Sequence, residues 1–160
     1  GSTDSVVVTG PTVTTSLSSK HARTSYGWYR SAVVVTFHCT QGSGTIDCPS
    51  PVTLNKQGKH VTLHQTVVAS DGGRAVVTVK VKIDMTPPTV KVKGVKDGKT
   101  YKSAPTLRCK AKDALSHVAS CKIHTHKHGS TVTYKAKAKD KAGNKSISKG
   151  TYDLATGKGA

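Results

Sequence analysis

Tyr134-Lys135-Ala136-Lys137-Ala138-Lys139 decides the class of the fold, and Val79-Lys80-Val81-Lys82-Ile83 and Val90-Lys91-Val92-Lys93 carry the same message. In each run, lysine alternates with a bulky or small apolar residue at strict period two. A helix would spread such residues around its axis, whereas a strand sends them to opposite faces. The lysines then face water and the apolar residues face a core, as in half-buried antiparallel strands. Outward from these runs, valine, threonine and lysine alternate along most of the chain, and almost no stretch repeats its apolar residues at helical spacing. Glycine, serine and aspartate clusters interrupt the runs at short intervals, as turns between sandwich strands do. The expected class is all-β.

The pattern occurs twice. Pro11-Thr12-Val13 returns as Pro88-Thr89-Val90, and Trp28-Tyr29-Arg30-Ser31-Ala32 returns more loosely as Tyr101-Lys102-Ser103-Ala104. Phe37-His38-Cys39 returns as Leu107-Arg108-Cys109, and Cys48 as Cys121. Ala69-Ser70-Asp71-Gly72-Gly73 returns as the turn from Ala138 to Asn144, with Asp71 matched to Asp140. The copies divide the chain into a module of residues 1–86 and a module of residues 87–160, each expected to be an antiparallel β-sandwich. Ile83-Asp84-Met85-Thr86-Pro87-Pro88 joins them, and its two prolines leave the join little freedom.

Modules of this size are marginal on a hydrophobic core alone, and a secreted domain commonly adds a disulfide. Four cysteines supply one bridge each. The spacing from Cys39 to Cys48 resembles that from Cys109 to Cys121, so two local bridges are expected, Cys39–Cys48 and Cys109–Cys121. The absence of a Cys-x-x-Cys pair argues against a zinc or redox site. Aromatic residues are few, so the cores rest mainly on valine and alanine.

Lysine and arginine number 25 against eight acids, and every acid is an aspartate. Residues 1–86 carry eight basic residues and four aspartates, a net of +4, and residues 87–160 carry 17 and four, a net of +13. Such a field draws anions: an acidic small molecule or a polyanion. Nucleic acid is the less expected polyanion, because the second module offers only Tyr101, Tyr134 and Tyr152 for bases to stack on. No apolar stretch of about 18 residues is present, so no membrane span is expected. Gly1-Ser2 has the form of a cloning remnant, and an export signal is expected to have preceded the mature chain.

Gly27-Trp28-Tyr29, the Ala-x-Asp-x-x-Gly-Asn turn ending at Asn144, and the Ile-Asp-x-Thr-Pro-Pro exit at Ile83–Pro88 resemble the immunoglobulin-like repeats of bacterial secreted and surface proteins, especially of actinobacteria. The resemblance covers nearly the whole chain in two copies. It implies tandem immunoglobulin-like sandwiches and a role as spacer, adhesive surface or ligand platform; the chain is expected to be extracellular and a monomer. The architecture, length and charge also resemble the small secreted antioxidant proteins of skin propionibacteria, the radical oxygenases. That second resemblance implies protection against reactive oxygen species with a bound tetrapyrrole, haem or cobalamin.

The residues offer candidates for such a ligand. His124, His126 and His128 alternate, so a continuous strand would put all three imidazoles on one face, where they could ligate a metal; an exposed hairpin edge is the plainer alternative. Lys91, Lys93, Lys110, Lys112, Lys135 and Lys137 face outward if their neighbours face inward, and could attract propionate or phosphate groups. Trp28 and Tyr101 could contact a macrocycle. A groove between the modules is the expected place. The competing function is a surface or adhesive module whose lysines hold teichoic acid, glycosaminoglycan or another polyanion. No Gly-x-Ser-x-Gly, His-Glu-x-x-His or phosphate-loop motif points to a standard catalytic site.

Overall fold

Among the described residues, 7–155, the alternating runs of the computed structural model form twelve strands and no helix. The first copy of the repeat gives β1 (Thr12–Ser19), β2 (Trp28–Tyr29), β3 (Val33–Thr40), β4 (Val52–Leu54), β5 (Gly58–Val68) and β6 (Arg74–Ile83). The second gives β7 (Thr89–Lys93), β8 (Thr100–Tyr101), β9 (Arg108–Lys112), β10 (Val118–His128), β11 (Thr131–Asp140) and β12 (Lys145–Leu154). Both expected disulfides form: Cys39–Cys48 and Cys109–Cys121 hold their Cα atoms 5.8 and 5.7 Å apart. No helix among the described residues is long and apolar enough to cross a membrane.

The chain folds as two compact units, and their boundary differs from a cut after residue 86. One unit holds residues up to Ala22 and Ser31–Ile83; the other holds Arg23–Arg30 and the residues from Asp84 onward. Hydrogen bonds explain both differences. The Asp84 carboxylate accepts from the Thr86 and Ser116 amides, and Asn144 Nδ2 donates to the Asp84 carbonyl at 2.7 Å. Thr24 Oγ1 donates to the Lys141 carbonyl at 2.7 Å, and the Asp84 amide donates to the Tyr29 carbonyl at 2.8 Å.

In the first unit, β3 pairs antiparallel with both β1 and β4, and β5 pairs with β6. Val33, Val35 and Phe37 of β3 are buried at alternate positions, as are Val79, Val81 and Ile83 of β6. In the second unit, β7 pairs with β9, and the other sheet has the order β10-β11-β12-β8. The inward faces of these two sheets meet. Val92 of β7 and Ile123 of β10 pack on a core of Val132, Tyr134 and Tyr152. The Tyr101 and Tyr152 rings meet edge to face at 5.8 Å, and Cys109–Cys121 ties β9 to β10.

The corresponding turns align two residues away from the match of Asp71 with Asp140. In the first unit, the Ala69 amide donates to the Gly73 carbonyl and the Gly72 amide to the Ala69 carbonyl. In the second, the Asp140 amide donates to the Asn144 carbonyl and the Gly143 amide to the Asp140 carbonyl. Asp140 therefore corresponds to Ala69, and Gly143 to Gly72. The φ angles of these glycines, 93° and 88°, fall where a Cβ is disfavoured.

Candidate anion-binding site

The loop after β10 sets the site. His128 pairs with Thr131 across a two-residue connection, Gly129-Ser130, and Gly129 takes a φ of 63°. That register holds along β10 and β11 as far as Ser120 opposite Lys139, beyond which it shifts. His124 stands opposite Lys135, which stands opposite Lys149 of β12. Lys122 stands opposite Lys137, and Lys139 opposite Lys145. Because side chains alternate, all these residues share the outer face, while Ile123, Tyr134, Ala136 and Ala138 point to the core.

The outer face is thus a ladder of six exposed lysines, 122, 135, 137, 139, 145 and 149, with His124, His126 and His128 on one flank. Among the described residues no carboxylate pairs with these lysines. The acid in the same rows, Asp153, lies at the far end and accepts from Thr131 Oγ1 at 2.7 Å. Like charges directly opposite each other across strands destabilise a sheet, by roughly 0.2–1 kcal/mol for each pair. An anion lying over the rows relieves that repulsion.

Two depressions mark the face. The larger, about 620 Å³, lies between the row His124–Lys135–Lys149 and the row His126–Thr133–Thr151, with the row Thr125–Tyr134–Gly150 between them. Gly150 is needed there, because a Cβ would come too close to the Tyr134 hydroxyl and to Asp97. Burial raises the Tyr134 phenol above its ordinary pKa, and the nearby Asp97 charge adds to the effect. The smaller depression, about 260 Å³, shares His124 and is flanked by Lys122, Lys137, Lys139 and Lys145.

The sequence candidates divide between two faces. Lys135 and Lys137 lie on this one. Lys91, Lys93, Lys110 and Lys112 lie on the outer face of the β7–β9 sheet, across the core, so one compact ligand cannot be held by both groups. The two aromatic candidates are occupied by the fold. Trp28 is 6% exposed, and Tyr101 packs on Tyr152 while its hydroxyl accepts from the Lys96 amide at 2.8 Å. Lys122, Lys145 and Lys149 belong to the site although alternation within single strands did not single them out; the Gly129-Ser130 turn was the signal for Lys122.

His124, His126 and His128 share a face, as their alternation predicts. Among the described residues, however, the group whose donor atoms all lie within 4.8 Å of one another is Asp84, Asp113 and Asp140. Hydrogen bonds engage these carboxylates. Asp84 also accepts from Ser116 Oγ, and Asp113 accepts from the Ser116 and His117 amides, both at 2.9 Å. Asp140 accepts from the Ala142 and Asn144 amides and from Asn144 Nδ2. Burial pushes the Asp140 carboxyl above its ordinary pKa; the Asn144 bonds oppose this, and the charges of Asp84 and Asp113 reinforce it. The Ile83–Pro88 exit and the turn ending at Asn144 thus form one buried polar node.

No family model, curated protein or solved structure matches this chain.

Proposed function

We propose that the chain is a secreted antioxidant protein of two tandem immunoglobulin-like modules, of the radical oxygenase kind, that holds an anionic tetrapyrrole, haem or cobalamin, on the basic face of its second unit. One observation carries the reading: two imidazoles and two lysines, His124, His126, Lys135 and Lys149, border a single depression of about 620 Å³. That volume lies within the range of small-molecule sites. Imidazole nitrogen suits iron and cobalt, and ammonium groups suit propionate or phosphate. A bound tetrapyrrole would supply a redox-active metal, and with it turnover rather than the sacrificial oxidation of side chains. The chain's own part is to orient it: His124 or His126 offers a ligand nitrogen, and Lys135 and Lys149 fix the acidic edge. The two disulfides and the absence of free cysteines fit an oxidising, extracellular setting.

Difference absorbance with haem and with a cobalamin tests the assignment of residues. The double variant His124→Ala/His126→Ala should lose the spectral shift, and Lys135→Glu/Lys149→Glu should weaken binding at least tenfold while far-ultraviolet circular dichroism stays unchanged. An unaltered titration in both variants overturns the reading.

A further inference from the structure

The opposite face of the second unit carries a cationic surface of a different shape. β7 and β9 form a two-stranded sheet whose outer side presents Lys93 opposite Arg108, Lys91 opposite Lys110, and Lys112 opposite Thr89. All five basic residues are exposed. Successive rows stand about 6.8 Å apart, so the strip is roughly 14 Å long and two strands wide. Its inner side is committed to the core through Val92 and the Cys109–Cys121 bridge. The nearest acid in sequence, Asp113, is turned away to the Ser116 and His117 amides.

We infer that this β7–β9 ribbon docks a linear oxyanion polymer, a chain of sulfate or phosphate groups without bases, and so anchors the protein on an anionic matrix. Three features select that partner. The charges stand in paired rows along one direction, which matches a chain of repeated anions better than a compact ligand. Neither depression of the His124 face includes Lys91, Lys93, Arg108 or Lys110, and an open hollow beside Ala114 and His117 reaches the strip through Lys112 at its end, leaving those four residues outside it. The strip carries no aromatic side chain, so bases would find nothing to stack on, while Arg108 offers a planar fork for sulfate or phosphate. The ribbon and the His124 face lie on opposite sides of one core, so polymer on the ribbon leaves the other face open.

The test measures binding of the full chain to three charge-matched probes at two salt concentrations: a sulfated glycosaminoglycan oligosaccharide, a polyphosphate and an oligodeoxythymidylate. Lys91→Glu/Lys110→Glu should weaken binding to the oxyanion chains at least tenfold and flatten the salt dependence by about two in slope. Lys122→Glu/Lys145→Glu, the same change of charge on the other face, should alter it less than threefold. A neutral pair, Lys91→Gln/Lys110→Gln, should fall between and serves if the charge reversal impairs folding. Preference between the sulfated and phosphate probes names the source of the polymer, and either preference supports the inference. Equal losses from both glutamate variants, tighter binding of the oligonucleotide, or no binding of the wild-type chain overturns it. The tetrapyrrole titration separates the two claims: Lys91→Glu/Lys110→Glu should leave it unchanged, and His124→Ala/His126→Ala should leave polymer binding unchanged.

Discussion

At the scale of single residues, Asp140 bears the most. It is 1% exposed and accepts three hydrogen bonds, from Ala142, from Asn144 and from the Asn144 side chain. Asp140→Ala strands those donors in a buried site and should cost about 2–4 kcal/mol, read from urea unfolding. Asn144→Ala should cost about 1–3 kcal/mol, and the double variant less than the sum, because the two share a bond. The pH response has a definite sign. Burial raises the folded pKa of Asp140 above the ordinary carboxylate value, so the folded state holds the proton more tightly. Its contribution to stability is greatest below the unfolded pKa and falls as pH rises through the folded one. Comparing urea midpoints, wild type should therefore gain on Asp140→Asn as pH drops from 7 towards 4; a constant gap contradicts this. Asp71 behaves oppositely: its bonds from Ser43 and the Gly73 amide lower its pKa, and its contribution fades as acid protonates it. None of this was legible in the sequence. Aspartates in such stretches read as turn residues, and only the meeting of two motifs sixty residues apart, at Asp84 and Asn144, accompanies the burial of Asp84 and Asp140.

At the scale of elements, the lysine ladder of β10, β11 and β12 trades stability for charge. Lys137 stands between Lys122 and Ile147, so Lys137→Glu converts a repulsive pair into an attractive one. It should stabilise the fold by about 0.2–1 kcal/mol in thermal unfolding while weakening an anionic ligand. Higher stability with undiminished binding would make the ladder a merely solvated surface. The bridge between β9 and β10 matters because the β7–β9 sheet has only two strands; replacing Cys109 and Cys121 by serine should cost roughly 2–3 kcal/mol. Much of this level was readable in advance. Alternation identified the strands and the outward lysines, and cysteine spacing gave both bridges. What it could not give was which strands share a sheet. β4 pairs with β3, whereas β10, the corresponding strand of the second copy, runs eleven residues along β11. That choice sends Lys135 and Lys91 to opposite sides of one core, although both belong to the same kind of run.

At the scale of the whole molecule, charge is the dominant property. Of the 17 basic residues in 87–160, which give a net of +13, eleven stand on two exposed faces rather than in an enclosed cleft, so long-range attraction to anions is built into the second unit. Attraction of that kind alone fades as salt screens it over about 8–10 Å, whereas ligation by an imidazole at His124 or His126 does not depend on screening. The most direct measurement is a visible-absorbance titration of the wild-type chain with haem and with a cobalamin, at low and at physiological salt, beside a basic protein of matched charge. The account predicts a spectral shift that saturates near one equivalent, survives physiological salt and is absent from the matched protein. A shift that grows without saturating, or that vanishes with salt, contradicts a built tetrapyrrole site.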